Sequence, residues 1–132
     1  MTVTVDRELY IGGSEANYIY MNYDTKTFQT WWAYKLAGIP RESPTNRNME
    51  VGTILENEIL DLYEAVYGVK GKRGLSKVKG IARANTDYIL RDKVIDVKAS
   101  NQAFEWVLTG TIPIYYRRQL IHYCYVFEFE KA

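Results

Sequence analysis

Cysteine is almost missing from this chain: Cys124 is the only one in 132 residues, so no internal disulfide framework holds the fold. Histidine is equally scarce. His122 stands beside Tyr123 and Cys124 with no second histidine or cysteine near it, which argues against a zinc site or a Cys–His nucleophile pair and for ordinary packing. No apolar run approaches the length that spans a bilayer, which excludes membrane insertion. The opening segment MTVTVDRELY lacks the basic region and apolar core of a secretory signal, and the expectation is a cytoplasmic protein. An excess of charge is lacking too. With 17 basic and 16 acidic residues the net charge is +1, which argues against a surface that grips nucleic acid everywhere but leaves room for a local basic patch.

What is present is the composition of a folded domain: 47% apolar and 25% charged residues, in a length that buries a core without staples. A single domain over residues 1–132 is expected. In GGSEANYIY, Ser14 is placed to cap a short helix, and in TFQTWWAYKLAG, Thr27 caps a second that stops at Gly38. Two of the three prolines then mark IPRESPTNRN as a loop. In MEVGTILENEILDLYEAVYG the residues Val51, Leu55, Ile59, Leu62 and Val66 recur at helical steps, which predicts an amphipathic helix ended by Gly68, with Glu56 at the margin of the apolar stripe. VKGKRGLSKVKG combines five basic residues with glycines, the makings of a mobile basic loop or an edge hairpin. ARANTDYIL and KVIDVKA read as two strands joined by a tight turn at Arg91 and Asp92. Pro113 can start a last helix carrying Tyr116, Leu120, Tyr123 and Phe127 at helical spacing, with Gln119 beside the tyrosines. GGSEA lacks the lysine and spacing of a P-loop, and Trp31 and Trp32 read first as core or interface.

The chemistry concentrates in NTDYILRDKVIDVKAS. Asp96 and Lys98 share one face of a strand, and Asp87 lies on the adjoining one. Two carboxylates held close repel unless a cation sits between them, and a divalent ion with oxygen ligands supplies that charge. Asp87 and Asp96 are therefore expected to hold Mg²⁺, with the Val97 carbonyl as a further oxygen and Lys98 placed to orient a water or polarise a phosphate oxygen. Phosphodiester hydrolysis suits these parts. On its own, an acid and a lysine two apart on a strand is more often a solvated face.

The companions of that pattern decide the matter. RELYIGGSE, the Gly-x-x-x-Glu helix in NMEVGTILENEILDLYE, the hairpin NTDYIL…VIDVKAS and the helix YYRRQLIHY run in an order that resembles the phage lambda exonuclease and YqaJ-type recombinase nucleases, a branch of the PD-(D/E)XK superfamily. The resemblance covers nearly the whole chain. It implies an α/β fold of restriction-endonuclease type, a small mixed sheet flanked by helices, and a metal-dependent deoxyribonuclease that acts as a recombination exonuclease on duplex ends. It makes Glu56, Asp87 and Asp96 ligands of Mg²⁺ or Mn²⁺ together with Val97, Lys98 the catalytic lysine, and Gln119 and Tyr116 helpers at the scissile phosphate. Arg7 and Ser14 fall where the family contacts a terminal 5′ phosphate. Beside such a site Lys70, Lys72, Arg73, Lys77 and Lys79 become a phosphate-backbone clamp. Thr86, Tyr88 and Asp96 depart from the family's usual Pro, Gly and Glu, and the chain ends at FEFEKA, without the further strand and helix of relatives. Double-stranded DNA is the implied partner, with a further copy of the chain and a single-strand annealing protein as companions the family admits, and a phage or prophage as source places it in the host cytoplasm. An endonuclease or structure-specific nuclease on the same fold, or a catalytically inactive DNA- or protein-binding module, are the alternatives.

Overall fold

The structure, a computed structural model, describes the backbone of residues 7–39 and 47–132 and the side chains of residues 8–39 and 50–132. The loop expected around Pro40 and Arg41 lies outside the described residues, as do the side chains of Arg7 and Arg47.

Two 3-10 turns, Arg7–Leu9 and Gly13–Glu15, lead into α1 (Ala16–Ile19) and α2 (Lys26–Ala37). Neither expected cap is the one used. Ser14 lies inside the second turn, and Gly12 takes the cap position, its N–H donating to Glu15 Oε1 at 3.2 Å. Helix α2 starts from Thr25, whose extended backbone lets Oγ1 accept from the Phe28 N–H at 3.3 Å; Thr27 is already helical. Asn22 decides between the two threonines. Its carbonyl accepts from the Thr25 hydroxyl at 2.9 Å and its side chain from the Asp24 N–H at 3.0 Å, which fixes the approach to the helix. Trp31 is buried and stacks on Tyr18 with ring centroids 4.9 Å apart, while Trp32 is exposed.

Helix α3 (Arg47–Tyr67) forms as its periodicity predicts and ends at Gly68 with φ 62°, but it turns a different face inward. The expected core stripe is on the outside: Leu62 and Val66 are 65% and 66% exposed, and Val51, Leu55 and Ile59 are exposed as well. Gly52, Glu56, Leu60, Tyr63 and Glu64 form the sheltered face, with Leu60 fully buried. These positions also recur at helical spacing, and the polar ones have partners on the sheet. Glu64 accepts from the Tyr88 hydroxyl at 2.7 Å and from Arg73 at 2.8 Å, and burying a carboxylate with such donors costs little.

The strands resolve into two small antiparallel sheets. One holds β1 (Lys72–Arg73), β4 (Tyr88–Leu90) and β5 (Lys93–Ile95) in the order β1-β4-β5; the other pairs β2 (Ser76–Lys79) with β3 (Ala82–Asn85). ARANTDYIL is thus interrupted at Thr86 and Asp87, where the chain passes from one sheet to the other. The basic segment is neither a loop nor a hairpin folded on itself: it supplies β1 and β2, which pair with β4 and β3 in separate sheets. The turn at Arg91 and Asp92 is the expected two-residue connection, with Leu90 paired to Lys93 and Arg91 at φ 58°. Among the described residues parallel pairing is confined to the bridges Ile11–Ala82 and Lys93–Lys131.

Two further helices follow, α4 (Ala103–Thr109), which sequence periodicity did not reveal, and α5 (Ile114–Phe127) starting after Pro113. Helix α5 joins the two sheets: its Tyr123 and Val126 pack with Ala84 of β3 and Val94 of β5, and Leu120, Phe127 and Phe129 border this core. His122 is buried with Nε2 2.9 Å from the Arg83 carbonyl, the ordinary packing its isolation suggested.

Candidate active site

The interruption between β3 and β4 is what makes Asp87 available. Outside both ladders its side chain turns toward the extended run after β5, where the Val97 N–H donates to Oδ2 at 2.8 Å. Burial raises the Asp87 pKa, and the nearby Asp96 charge raises it further, against the lowering effect of the Val97 N–H. Glu56 arrives from the sheltered face of α3. Its carboxyl is also raised, first by burial and then by hydrogen bonding to Asp87 and by the charge there. The interaction between the two carboxyls raises Glu56 and lowers Asp87, and both stay above the ordinary carboxylate value because burial dominates.

Asp96 touches Asp87 on one side and Lys98 on the other, with Lys98 Nζ 2.8 Å from Oδ2 and the Asp96 side chain 8% exposed. The same ammonium lies 4.8 Å from the ring centroid of Tyr116, a cation–π arrangement that holds it over α5. Burial raises the Tyr116 pKa, with Tyr115 and Asp96 adding to it. Gln119, buried one turn on, donates to the Tyr123 hydroxyl at 2.8 Å; burial and then the charge of Asp96 raise the pKa of Tyr123. Tyr123 in turn lies against Gly13, where any Cβ would overlap its ring, so the Ser14 turn is seated on the same helix as Gln119.

Glu56, Asp87, Asp96, Lys98 and Tyr116 therefore meet, in a chain of contacts running from α3 through the junction of the sheets to α5. Among the described residues no three of His, Cys, Asp and Glu are gathered around one point as metal ligands. The donor set nonetheless fits a divalent cation: all three acids offer hard oxygen ligands, and burial together with the neighbouring negative charge raises two of them, the repulsion a cation would relieve.

The basic residues are placed differently. Arg73 is held by Asp61 at 2.7 Å and Glu64 at 2.8 Å, Lys70 lies 3.7 Å from Glu64, and Lys79 pairs with Glu128 at 3.1 Å and sits over Tyr125. Lys72 and Lys77 are exposed, Lys77 5.9 Å from the ring centroid of Phe127. Ser14 is exposed on its turn; the Arg7 side chain lies outside the described residues. The structure adds Glu15, which sequence reading missed: it is buried and accepts from Trp31 Nε1 at 2.7 Å while pairing with Lys35 at 3.0 Å, tying the Ser14 turn to α2. Its neighbour Ser14 carried the only local signal, and a lone Glu in a short turn has no periodicity to betray burial.

With this geometry in hand, comparison with known proteins is informative. The pattern that defines the YqaJ-like viral recombinase domain matches residues 4–130. Among solved structures, the alkaline exonuclease of Laribacter hongkongensis is similar at 20% identity with a TM-score of 0.74, covering 91% of this chain. The same enzyme in complex with dAMP is similar at 19% identity with a TM-score of 0.76, covering 92% of this chain. A phage-related exonuclease of Haemophilus somnus is similar at 17% identity with a TM-score of 0.66 and the same 92% coverage. The chain spans 64% of the length of the first and third of these and 66% of the second. No curated protein sequence matches it. The likeness to these structures is one of fold.

Proposed function

Because the chain belongs to the YqaJ-like viral recombinase domain family, we propose that it is a metal-dependent deoxyribonuclease of the phage recombination type that degrades DNA from duplex ends. One observation carries the reading: Asp87 at the sheet junction interacts with Glu56 of α3 on one side and with Asp96 after β5 on the other, and the Lys98 ammonium pairs with Asp96. The similar structures are exonucleases by description, one of them seen with a deoxynucleotide, which supports DNA as the substrate class.

Glu56, Asp87 and Asp96, with the Val97 carbonyl, would hold Mg²⁺ or Mn²⁺. When bound, the cation supplies positive charge for the phosphate oxygens and lowers the pKa of an attacking water. Lys98 adds a positive charge where negative charge grows on the phosphoryl group, and its seat over Tyr116 limits where the ammonium can reach. Gln119, fixed by Tyr123, offers its amide on the same side of α5. The Val97 N–H keeps Asp87 oriented at 2.8 Å, so less rearrangement is needed at the moment of reaction. Ser14, with Arg7, is assigned to the terminal 5′ phosphate, on a turn that Glu15 and Tyr123 immobilise.

The test is digestion of linear, blunt, 5′-phosphorylated duplex against closed circular duplex with Mg²⁺ or Mn²⁺, beside Asp96→Ala. Loss of the linear form alone is expected. Nicking of circles would instead make the protein an endonuclease, and metal-dependent binding without cutting would leave a binding module.

A further inference from the structure

Next to Lys98 the surface carries aromatic rings that the core does not use. Tyr115 and Tyr116 have ring centroids 4.4 Å apart at an interplanar angle of 66°, and Trp106 of α4 meets Tyr116 edge to face at 5.5 Å and 78°. None of the α4 residues is buried, and Tyr115 is 45% exposed. Perpendicular packing of this kind fixes ring orientation. Tyr116 gives a face to Lys98 and an edge or face to Trp106, and its ring meets that of Tyr115 edge to face. Of the three rings, Tyr115 is the one left with substantial area toward solvent.

We infer that Tyr115, braced by Tyr116 and Trp106, is a stacking shelf for the nucleobase that flanks the scissile phosphate, held unpaired. The inference rests on the nuclease reading for the position of that phosphate. A base is linked to its phosphate through a single sugar, so a phosphate bound at Lys98 brings its base to the neighbouring surface, and that surface is aromatic. Inside a duplex both faces of a base are covered by its neighbours. Only a base at an end, or one drawn out of the stack, can offer a face to Tyr115. Stacking is indifferent to base identity, as an enzyme that removes every nucleotide in turn requires, and it complements the phosphate contacts without reading base edges.

The test compares Tyr115→Leu, which keeps bulk without a π face, with Tyr115→Phe, which keeps the ring. Steady-state digestion of linear duplex is expected to show a KM raised on the order of 5- to 150-fold for Tyr115→Leu, the worth of one base–aromatic stack, with recovery in Tyr115→Phe. A second measurement needs no cutting: an oligonucleotide with 2-aminopurine at its 5′ end is titrated with the full chain carrying Asp96→Asn. Its fluorescence is expected to be quenched on binding, to stay bright when Tyr115→Leu is added, and to be quenched again with Tyr115→Phe. Equal behaviour of the Leu and Phe variants in KM or in quenching overturns the shelf, provided both melt at the same temperature as the parent. Should the parent cut no DNA, the nuclease reading falls, while the fluorescence titration still decides whether Tyr115 takes a base.

Discussion

Lys98 has two attachments, the Asp96 carboxylate at 2.8 Å and the face of Tyr116, and neither is a substitute for a phosphate oxygen. Truncating it removes a positive charge from the reacting centre and leaves the acids in place. Lys98→Ala is expected to slow cutting on the order of 100- to 1000-fold in single-turnover assays while DNA affinity, read by fluorescence anisotropy, changes little. An unaltered rate would take Lys98 out of the chemistry. At this scale spacing and charge drew notice to Asp87, Asp96 and Lys98 beside strands built of Tyr, Ile and Val, but the resemblance to a family, and not the spacing alone, set them apart from a solvated face. Glu15 and Tyr115 were not readable, because the partners of Glu15 lie on α2, Trp106 braces Tyr116 from α4, and nothing local distinguishes a buried glutamate or a surface tyrosine from the ordinary kind.

Helix α3 illustrates how an element can be found correctly and still be turned the wrong way. The periodic leucines and valines reveal a helix, but hydrophobicity alone could not know that Tyr88 and Arg73 on the sheet meet Glu64 and that Asp87 at the junction meets Glu56. Leu60→Ala is expected to cost about 2–5 kcal/mol in urea unfolding, whereas Leu62→Ala, only two positions away and 65% exposed, should stay within about 0.5 kcal/mol. The reverse ranking would return the apolar stripe to the core. Glu64 gives the same helix a pH signature. Its carboxyl is held down to about 2, against a reference of 4.5, chiefly by the Tyr88 hydroxyl and then by Arg73 and the Gly71 N–H. A depressed folded pKa contributes stability that is complete above the unfolded value and disappears as pH falls through the folded one. Thermal midpoints measured from pH 6 to 2 should therefore fall less steeply for Glu64→Gln, from a lower starting point; parallel curves would show that Glu64 contributes nothing. The division of one sheet into two was equally hidden, since β3 and β4 are consecutive in sequence and only Thr86 and Asp87, bonded to Leu75 and Gly74 outside the strand ladders, separate them.

For the molecule as a whole, the arrangement is a bridge: α5 carries Tyr123 and Val126 into a core shared by β3 and β5, while the acids gather at the seam between the two sheets. A cation bound at that seam, as proposed, would favour the folded chain over the unfolded one and so stabilise the fold by mass action. Added Mg²⁺ or Mn²⁺ is expected to raise the melting temperature of the protein and a chelator to reverse the rise, with no response in Asp87→Ala; a flat titration in the parent would separate the acid cluster from metal. The family expectation supplied the order of elements along the chain, which local periodicity had only partly resolved, and α4 went unseen because seven residues with no side-chain cap give too short a periodic signal.

The outward row of Val51, Ile54, Leu62 and Val66 has a practical corollary. Fluorogenic dyes that brighten on greasy surfaces, ANS among them, will adhere to the native protein, so its baseline glow at room temperature should be high and the usual dye-based melting trace will understate cooperativity. Intrinsic tryptophan emission from Trp31, enclosed and stacked, is the sounder thermometer for this fold.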